Sequence, residues 1–245
     1  MATSFLRLLE ESVREAILVS CRNALRASGF RFEDSWAKVI PGSDEGVYAW
    51  VAANYAMGTL GGDPHKTIGI IELGGASAQL TFVSDEVLPL ELSTNFTFGE
   101  TTYTLYSNSF LNFGQNAAQD SYREMLKSRE RCEYQRCHLG SNFVPELLGH
   151  FLATENFYFT SKFFGLDRSS SLSDFVVAGE QLCNKDLSTL RQTYLNHSDE
   201  DFSRYCFSSA YIVALLHDNL GVPLDDKRQA YHIRTLSFFL SEIYP

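Results

Sequence analysis

A chain of 245 residues, 44% hydrophobic and 13% aromatic, has enough apolar material for one large or two small α/β globular domains. Its formal net charge of −10, with no basic block, argues against nucleic acid as a partner, so an anionic substrate would have to be met by local amides and a cation. No stretch reaches the roughly 18 consecutive apolar residues of a membrane span, and the N-terminus lacks a charged-then-apolar signal pattern.

In chain order, the first predicted element is an amphipathic helix from Phe5 to Ala27, with Leu8, Leu9, Ser12, Ala16, Val19 and Ala24 among its periodic positions and Gly29 as its stop. A second helix is predicted from Ser43 to Tyr55, where Val47, Trp50, Val51, Asn54 and Tyr55 share one face. Asp44 and Glu45 open it. A carboxylate there is stabilised as the anion by the helix dipole, which suits Glu45 to accept a proton from water; dipole compensation alone is the plainer reading. Trp50 is expected to pack and so fix this helix.

Thr67 to Leu73 reads as a buried strand that runs into Gly74-Gly75, and Ala78 to Val83 as a second strand leaving that turn. Glycines bring amides close to a ligand, and successive N–H groups form a nest that suits phosphate. Ser77 and Gln79 add a hydroxyl and an amide at its edge, and Glu72 a carboxylate where a metal ion or its water would sit. The competing reading is a tight β-hairpin.

The antiparallel β-run is expected to extend from Thr67 to Phe110 with a turn at Asn95 to Gly99, followed by a helix from Asn116 to Arg131. Val144 to Leu166 reads as mixed helix and aromatic-rich turn, Ser169 to Ser173 as a loop, Phe175 to Ala178 as a short buried strand, and Phe207 to Leu220 as a helix closed by Gly221 and Pro223. The aromatics from Phe157 to Phe164 suit either a core stripe or a nucleobase platform. Cys132, Cys137 and His138 do not make a convincing zinc site, because paired spacings are shorter and no second cluster exists. No G-x-S-x-G motif occurs, and Ser77 follows a hairpin rather than entering a helix, unlike a nucleophile elbow. Asn95-Phe96-Thr97 and Asn196-His197-Ser198 are glycosylation sequons.

Glu45 to Tyr55 fits the pattern EG-x-Y-x-W-x-x-x-N-Y, and Glu72 to Gln79 fits D-L-G-G-A-S-x-Q with glutamate for aspartate. With Phe157-Tyr158-Phe159-Thr160 and Tyr205 to Ile212, these motifs resemble the apyrases, the nucleoside triphosphate diphosphohydrolase family, from about Leu6 to Asp226 and most like its plant branch. The resemblance implies an actin-like, hexokinase-like plan of two ribonuclease-H-like α/β domains with the substrate between them. Residues 1–42 would be the helical tail of the first domain, residues 43–225 the second domain, and residues 226–245 a divergent C-terminal segment.

It further implies removal of terminal phosphate from nucleoside tri- and diphosphates by attack of water. Glu45 would be the general base, and Ser77 and Gln79 would hold the water. Gly74, Gly75 and Ala76 would offer backbone donors, with Ser77 and Ala78 continuing the phosphate contact, and Tyr158 would stack on the nucleobase. Glu72 would hold Ca²⁺ or Mg²⁺ through water. Disulfides Cys132–Cys137 and Cys183–Cys206 are implied, leaving Cys21 as a buried helical thiol. The implied compartment is the secretory pathway (Golgi or ER lumen, or outside the cell), with membrane attachment only through segments of full-length relatives that are absent here.

Three departures stand against this. Glu72 replaces the usual aspartate; the family's first phosphate loop, D-A-G-S-T-G-x-R, does not occur, and Met1 to Arg7 stands where a motif ending in T-A-G-x-R is expected; Asp226 to Pro245 lacks the closing W-x-L-G-A. Relatives also carry a cysteine-bearing insertion near the helix predicted from Asn116. The alternative is therefore a truncated, inactive apyrase-like variant that binds nucleotide weakly or serves a structural role.

Overall fold

The computed structural model of the protein describes residues 3–125, 139, 142–167 and 170–225. Two helices, α1 (Thr3–Leu8) and α2 (Glu11–Ala27), precede α3 (Gly42–Ala56). A five-stranded sheet follows, made of β1 (Gly69–Leu73), β2 (Ser77–Val83), β3 (Ser93–Phe98), β4 (Thr101–Leu111) and, after α4 (Gln115–Met125), β5 (Phe151–Glu155). Helices α5 (Asn156–Phe164), α6 (Leu172–Cys183), α7 (Leu187–Thr193) and α8 (Asp199–Val213) complete it. The strand order is β3-β4-β2-β1-β5. All neighbours are antiparallel except β5, which lies parallel to β1. This mixed α/β sheet, with the glycine-turn hairpin β1–β2 at its centre, agrees with the ribonuclease-H-like expectation.

Side chains alternate between the two faces of such a sheet. Ile71, Leu73, Ala78, Leu80, Phe82, Tyr106 and Phe110 face one way and form the main core with Phe157 of α5, Phe175 of α6 and Ile212 of α8. Their alternates face α3. There Ile70, Tyr103, Leu105 and Leu152 pack against Val47, Trp50 and Ala53. Trp50 is fully buried and meets Tyr103 edge-on at 5.3 Å, the packing role expected of it. Asn54, also fully buried, donates to the Trp50 and Ile68 carbonyls and accepts from the Ile68 amide, so it ties the end of α3 to the approach to β1.

The α3 face changes character along its length. Past the apolar end, its cross-strand partners are Thr154, Glu72, Gln79 and Ser109 in one row, with Ser77, Thr81 and Ser107 beside them. The N-terminus of α3 sits over this polar end. A Cβ on Gly46 would lie 2.4 Å from Thr81 Oγ1, so only glycine lets the first turn of α3 approach β2 this closely.

Several sequence expectations are corrected. The helix expected from Phe5 to Ala27 breaks after Leu8; every residue of α2 is at least partly exposed, and Cys21 is an exposed thiol rather than a buried one. Tyr55 also lies outside the core, against the Phe98 ring. The β3–β4 turn falls at Gly99, and Asn95 lies within β3. Phe175 to Ala178 is helical. Ser171 and Asp174 form a capping box that starts α6, and Leu172, Phe175, Gly179 and Leu182 are buried at helical spacing. A second capping box, Ser198 with Asp201, starts α8 eight residues before the expected Phe207. Strand β5 and helix α7 were not anticipated. The Cys183–Cys206 disulfide joins α6 to α8 across a Cα separation of 5.5 Å. Cys132, Cys137, His138, the predicted helix beyond residue 125 and residues 226–245 lie outside the described residues.

Candidate active site

The polar end of the sheet opens into a cleft of ≈ 580 Å³. Glu45 of α3, Glu72 at the end of β1, Gly74 to Ala76 in the turn and Gln79 of β2 form its floor; Phe5 and Leu8 of α1, Asn116 and Asp120 of α4, and Glu155 at the end of β5 form its walls. Residues spread over more than a hundred positions converge because the strand ends and two helix starts meet at one edge.

Glu45 is on the first turn of α3, its amide bonded to the Pro41 carbonyl at 3.2 Å. Its Oε2 accepts from Gln79 Nε2 at 3.0 Å and from Arg7 Nη1 at 3.3 Å. Gln79 Nε2 also donates to Ser77 Oγ at 3.0 Å. Ser77 and Gln79 therefore share the β2 face turned to Glu45, but Ser77 is fully buried and stands behind Gln79. Ala78 points to the opposite face and belongs to the core, which leaves it no side-chain part in the cleft.

Arg7 was not singled out from the sequence. Besides Glu45, its guanidinium reaches the Ile40 carbonyl at 3.3 Å and Ser109 Oγ at 3.2 Å, linking α1, the approach to α3 and β4 around one carboxylate oxygen. The available signal was positional: Arg7 closes the segment that stands where a motif ending in T-A-G-x-R is expected.

The turn itself divides its donors. The Gly74 amide donates to the Ser77 carbonyl at 3.0 Å and closes the hairpin, so it is not available to a ligand as the sequence reading had it. The Gly75 and Ala76 amides have no acceptor among the described residues. Two adjacent unsatisfied N–H groups beside a cleft favour an anion.

Glu72 carries the site's main electrostatic anomaly. Burial, followed by the nearby carboxylates of Glu45 and Glu155, pushes its pKa up to about 8. Glu155 adopts a φ of 61°, a backbone conformation few non-glycine residues take. Among the described residues no group of three or more His, Cys, Asp or Glu side chains could hold a metal directly. Glu72, Glu155 and Asp120 nonetheless line the same cleft with hard carboxylate oxygens. Tyr158 is half-buried on α5, its ring against Phe159 and beneath Lys162 Nζ, and does not line the cleft.

Comparison with known proteins places these features in a family. The model of the GDA1/CD39 (nucleoside phosphatase) family matches residues 1–128 and 119–237. Probable apyrase 6 of Arabidopsis thaliana is 47% identical over 299 residues, covering 94% of this chain and 54% of that protein. Probable apyrase 4 of the same plant is 44% identical over 94% of this chain and 59% of its own length. An ectonucleoside triphosphate diphosphohydrolase 5 of Ailuropoda melanoleuca is 42% identical over 48% of this chain and 28% of its own. The chain belongs to the GDA1/CD39 nucleoside phosphatase family, and within it is similar to the plant apyrases. It spans 54–61% of the length of the Arabidopsis proteins it matches.

Proposed function

We propose that this chain supplies the base and one phosphate nest of an apyrase-type phosphohydrolase that removes terminal phosphate from nucleoside tri- and diphosphates. The observation that carries the reading is the set of contacts from Gln79 Nε2 to both Glu45 Oε2 and Ser77 Oγ, beside two turn amides without an acceptor among the described residues. Phosphoryl transfer asks mainly for positioning and charge stabilisation, and these residues supply both.

Water enters the cleft next to Glu45, which takes its proton as the oxygen attacks the terminal phosphorus and the bond from that phosphorus to the bridging oxygen breaks, releasing phosphate and the shortened nucleotide. Gln79 orients Glu45 and, with Ser77 fixing Gln79 from behind, directs the water. The Gly75 and Ala76 N–H groups donate to the phosphate oxygens and stabilise the charge that spreads over them. Ca²⁺ or Mg²⁺, held through water by Glu72, would neutralise phosphate charge. Tyr158 is left out of this core set, since its ring faces Phe159 and Lys162.

In this reading residues 1–42 are the tail of a first ribonuclease-H-like domain, and residues 43–225 are the second, with 226–245 a divergent segment. A secretory location is supported by the Cys183–Cys206 disulfide and by exposed sequon asparagines, Asn95 on the edge strand and Asn196 before α8.

Phosphate release from ATP and ADP, with Mg²⁺ or Ca²⁺ and again with EDTA, tests the proposal in the protein that carries this chain. Loss of a general base costs roughly 10²–10⁴-fold in rate, and Glu45→Gln is expected to fall by that much with its fold intact. Glu45→Gln retaining more than about a tenth of wild-type turnover would remove Glu45 from the role.

A further inference from the structure

We propose that Gly114 and the first turn of α4 are positioning residues for the terminal phosphate: they hold the Gly74–Ala76 turn so that its amides face outward. The inference rests on that turn being the phosphate nest.

Within a planar trans peptide the C=O and N–H point in opposite directions. Three successive carbonyls of the turn are held by the segment from Asn112 to Ala117. The Gln115 amide donates to the Gly74 carbonyl at 2.8 Å, the Asn116 and Ala117 amides to the Gly75 carbonyl at 2.9 and 3.0 Å, and the Asn112 amide to the Ala76 carbonyl at 2.9 Å. The N–H groups that share the first two of those peptide units, on Gly75 and Ala76, are thereby turned away from this segment.

The first amides of an α-helix have no partner inside the helix and commonly take an anion directly. Those of α4 take the turn's carbonyls instead. Hydrogen bonds in series polarise one another, so the positive end of α4 strengthens the turn's outward donors rather than binding the ligand itself.

Gly114 makes this docking possible. Its carbonyl accepts the first helical bond, from the Ala118 amide at 2.8 Å, and it lies against the turn. A Cβ at this position would stand 2.3 Å from the Ser77 nitrogen and 2.4 Å from both the nitrogen and the carbonyl carbon of Ala76. Those are backbone atoms that cannot rotate aside, so any side chain must push the turn off α4.

Nitrogen-15 relaxation on the protein that carries this chain, together with titration of the β,γ-imido analogue of ATP with Mg²⁺, tests the assignment. The wild-type Gly75 and Ala76 amides should be rigid, with order parameters near about 0.85, and should shift on adding the analogue. In Gly114→Ala the same order parameters should fall below about 0.6. Analogue affinity should weaken at least about tenfold, the worth of one charge-assisted hydrogen bond.

Gln115→Pro provides a second variant, because proline is accommodated at the first helical position; it removes the amide that holds Gly74 together with the buried Gln115 side chain, whose own share Gln115→Ala measures. If Gly114→Ala does not fold, Gln115→Pro decides by the same two readouts. A folded variant with rigid Gly75 and Ala76 amides and unchanged analogue affinity overturns the proposal. Wild-type amides that are rigid but indifferent to the analogue overturn the phosphate reading instead, a result separable from loss of support because the order parameters are measured without ligand.

Discussion

Glu72 gives the site a pH signature that can be worked out from its surroundings. An acid whose folded pKa is raised keeps its proton in the native state after the unfolded chain has released its own. Stability is therefore highest below the unfolded value of 4.5, falls as pH rises toward about 8, and levels off above it. The slope is about 1.4 kcal/mol per pH unit, which over this interval amounts to an upper bound on the order of 4–5 kcal/mol, reduced by whatever water the open cleft admits. For a chain of this size, each kcal/mol moves the melting temperature by roughly 2–4 °C, so the full effect is on the order of 10 °C.

The assay is thermal unfolding in EDTA at pH 5, 6, 7 and 8 for the wild type and Glu72→Gln. Groups remote from Glu72 are common to both proteins, so the difference between them isolates Glu72 and its coupling to Glu45 and Glu155. Glu72→Gln should gain on the wild type steadily from pH 5 to 8. Adding Mg²⁺ should close the gap at pH 8, because a cation favours the ionised carboxylate. Parallel pH curves for the two proteins would refute the claim that Glu72 is half-buried among like charges. A gap that persists with Mg²⁺ would place the cation elsewhere.

The close approach of α3 to the sheet gives a second expectation. Gly46→Ala puts a methyl against Thr81 Oγ1 and should cost about 1–3 kcal/mol by overpacking, while pulling Glu45 from Gln79 and lowering turnover. Thr81→Ala in the same protein removes the clashing hydroxyl and should restore most of both; a double variant no better than Gly46→Ala alone would show that the clash is not the cause. Reducing the Cys183–Cys206 bond, which closes a separation of 23 residues between α6 and α8, should lower stability by about 2–4 kcal/mol, and an unchanged melting temperature in dithiothreitol would contradict its stabilising role.

The elements legible in the sequence were those whose information is local. Helix α3 and the β1–β2 hairpin declare themselves through an apolar period, an acidic start and paired glycines, and Glu45, Gln79 and the turn duly meet in one cleft. Helix α6 was misread because Phe175-Val176-Val177 carries strong β propensity, whereas a capping box at Ser171 and burial at Leu172, Phe175, Gly179 and Leu182 override it. Strand β5 was missed for a different reason. A parallel strand buried on both faces has no alternation to read, and Phe151 to Thr154 is such a run.

The supports of the site were hidden by distance along the chain rather than by weak local signal. Arg7 acts on Glu45 from 38 positions away, and Gly114 stands against a turn some 38 residues before it. In the sequence Gly114 is an unremarked glycine before a helix, and Arg7 the residue left over from an incomplete motif. Each becomes interpretable only when the sheet brings β4 and its following helix beside the β1–β2 turn. A phosphate nest depends on the direction of its amides, and that direction is set by whatever holds the opposite carbonyls. Motifs name the residues that touch a ligand, but the geometry that makes Gly75 and Ala76 donors at all comes from the segment 112–117, so substitutions there should impair phosphate binding with the GGA sequence itself intact.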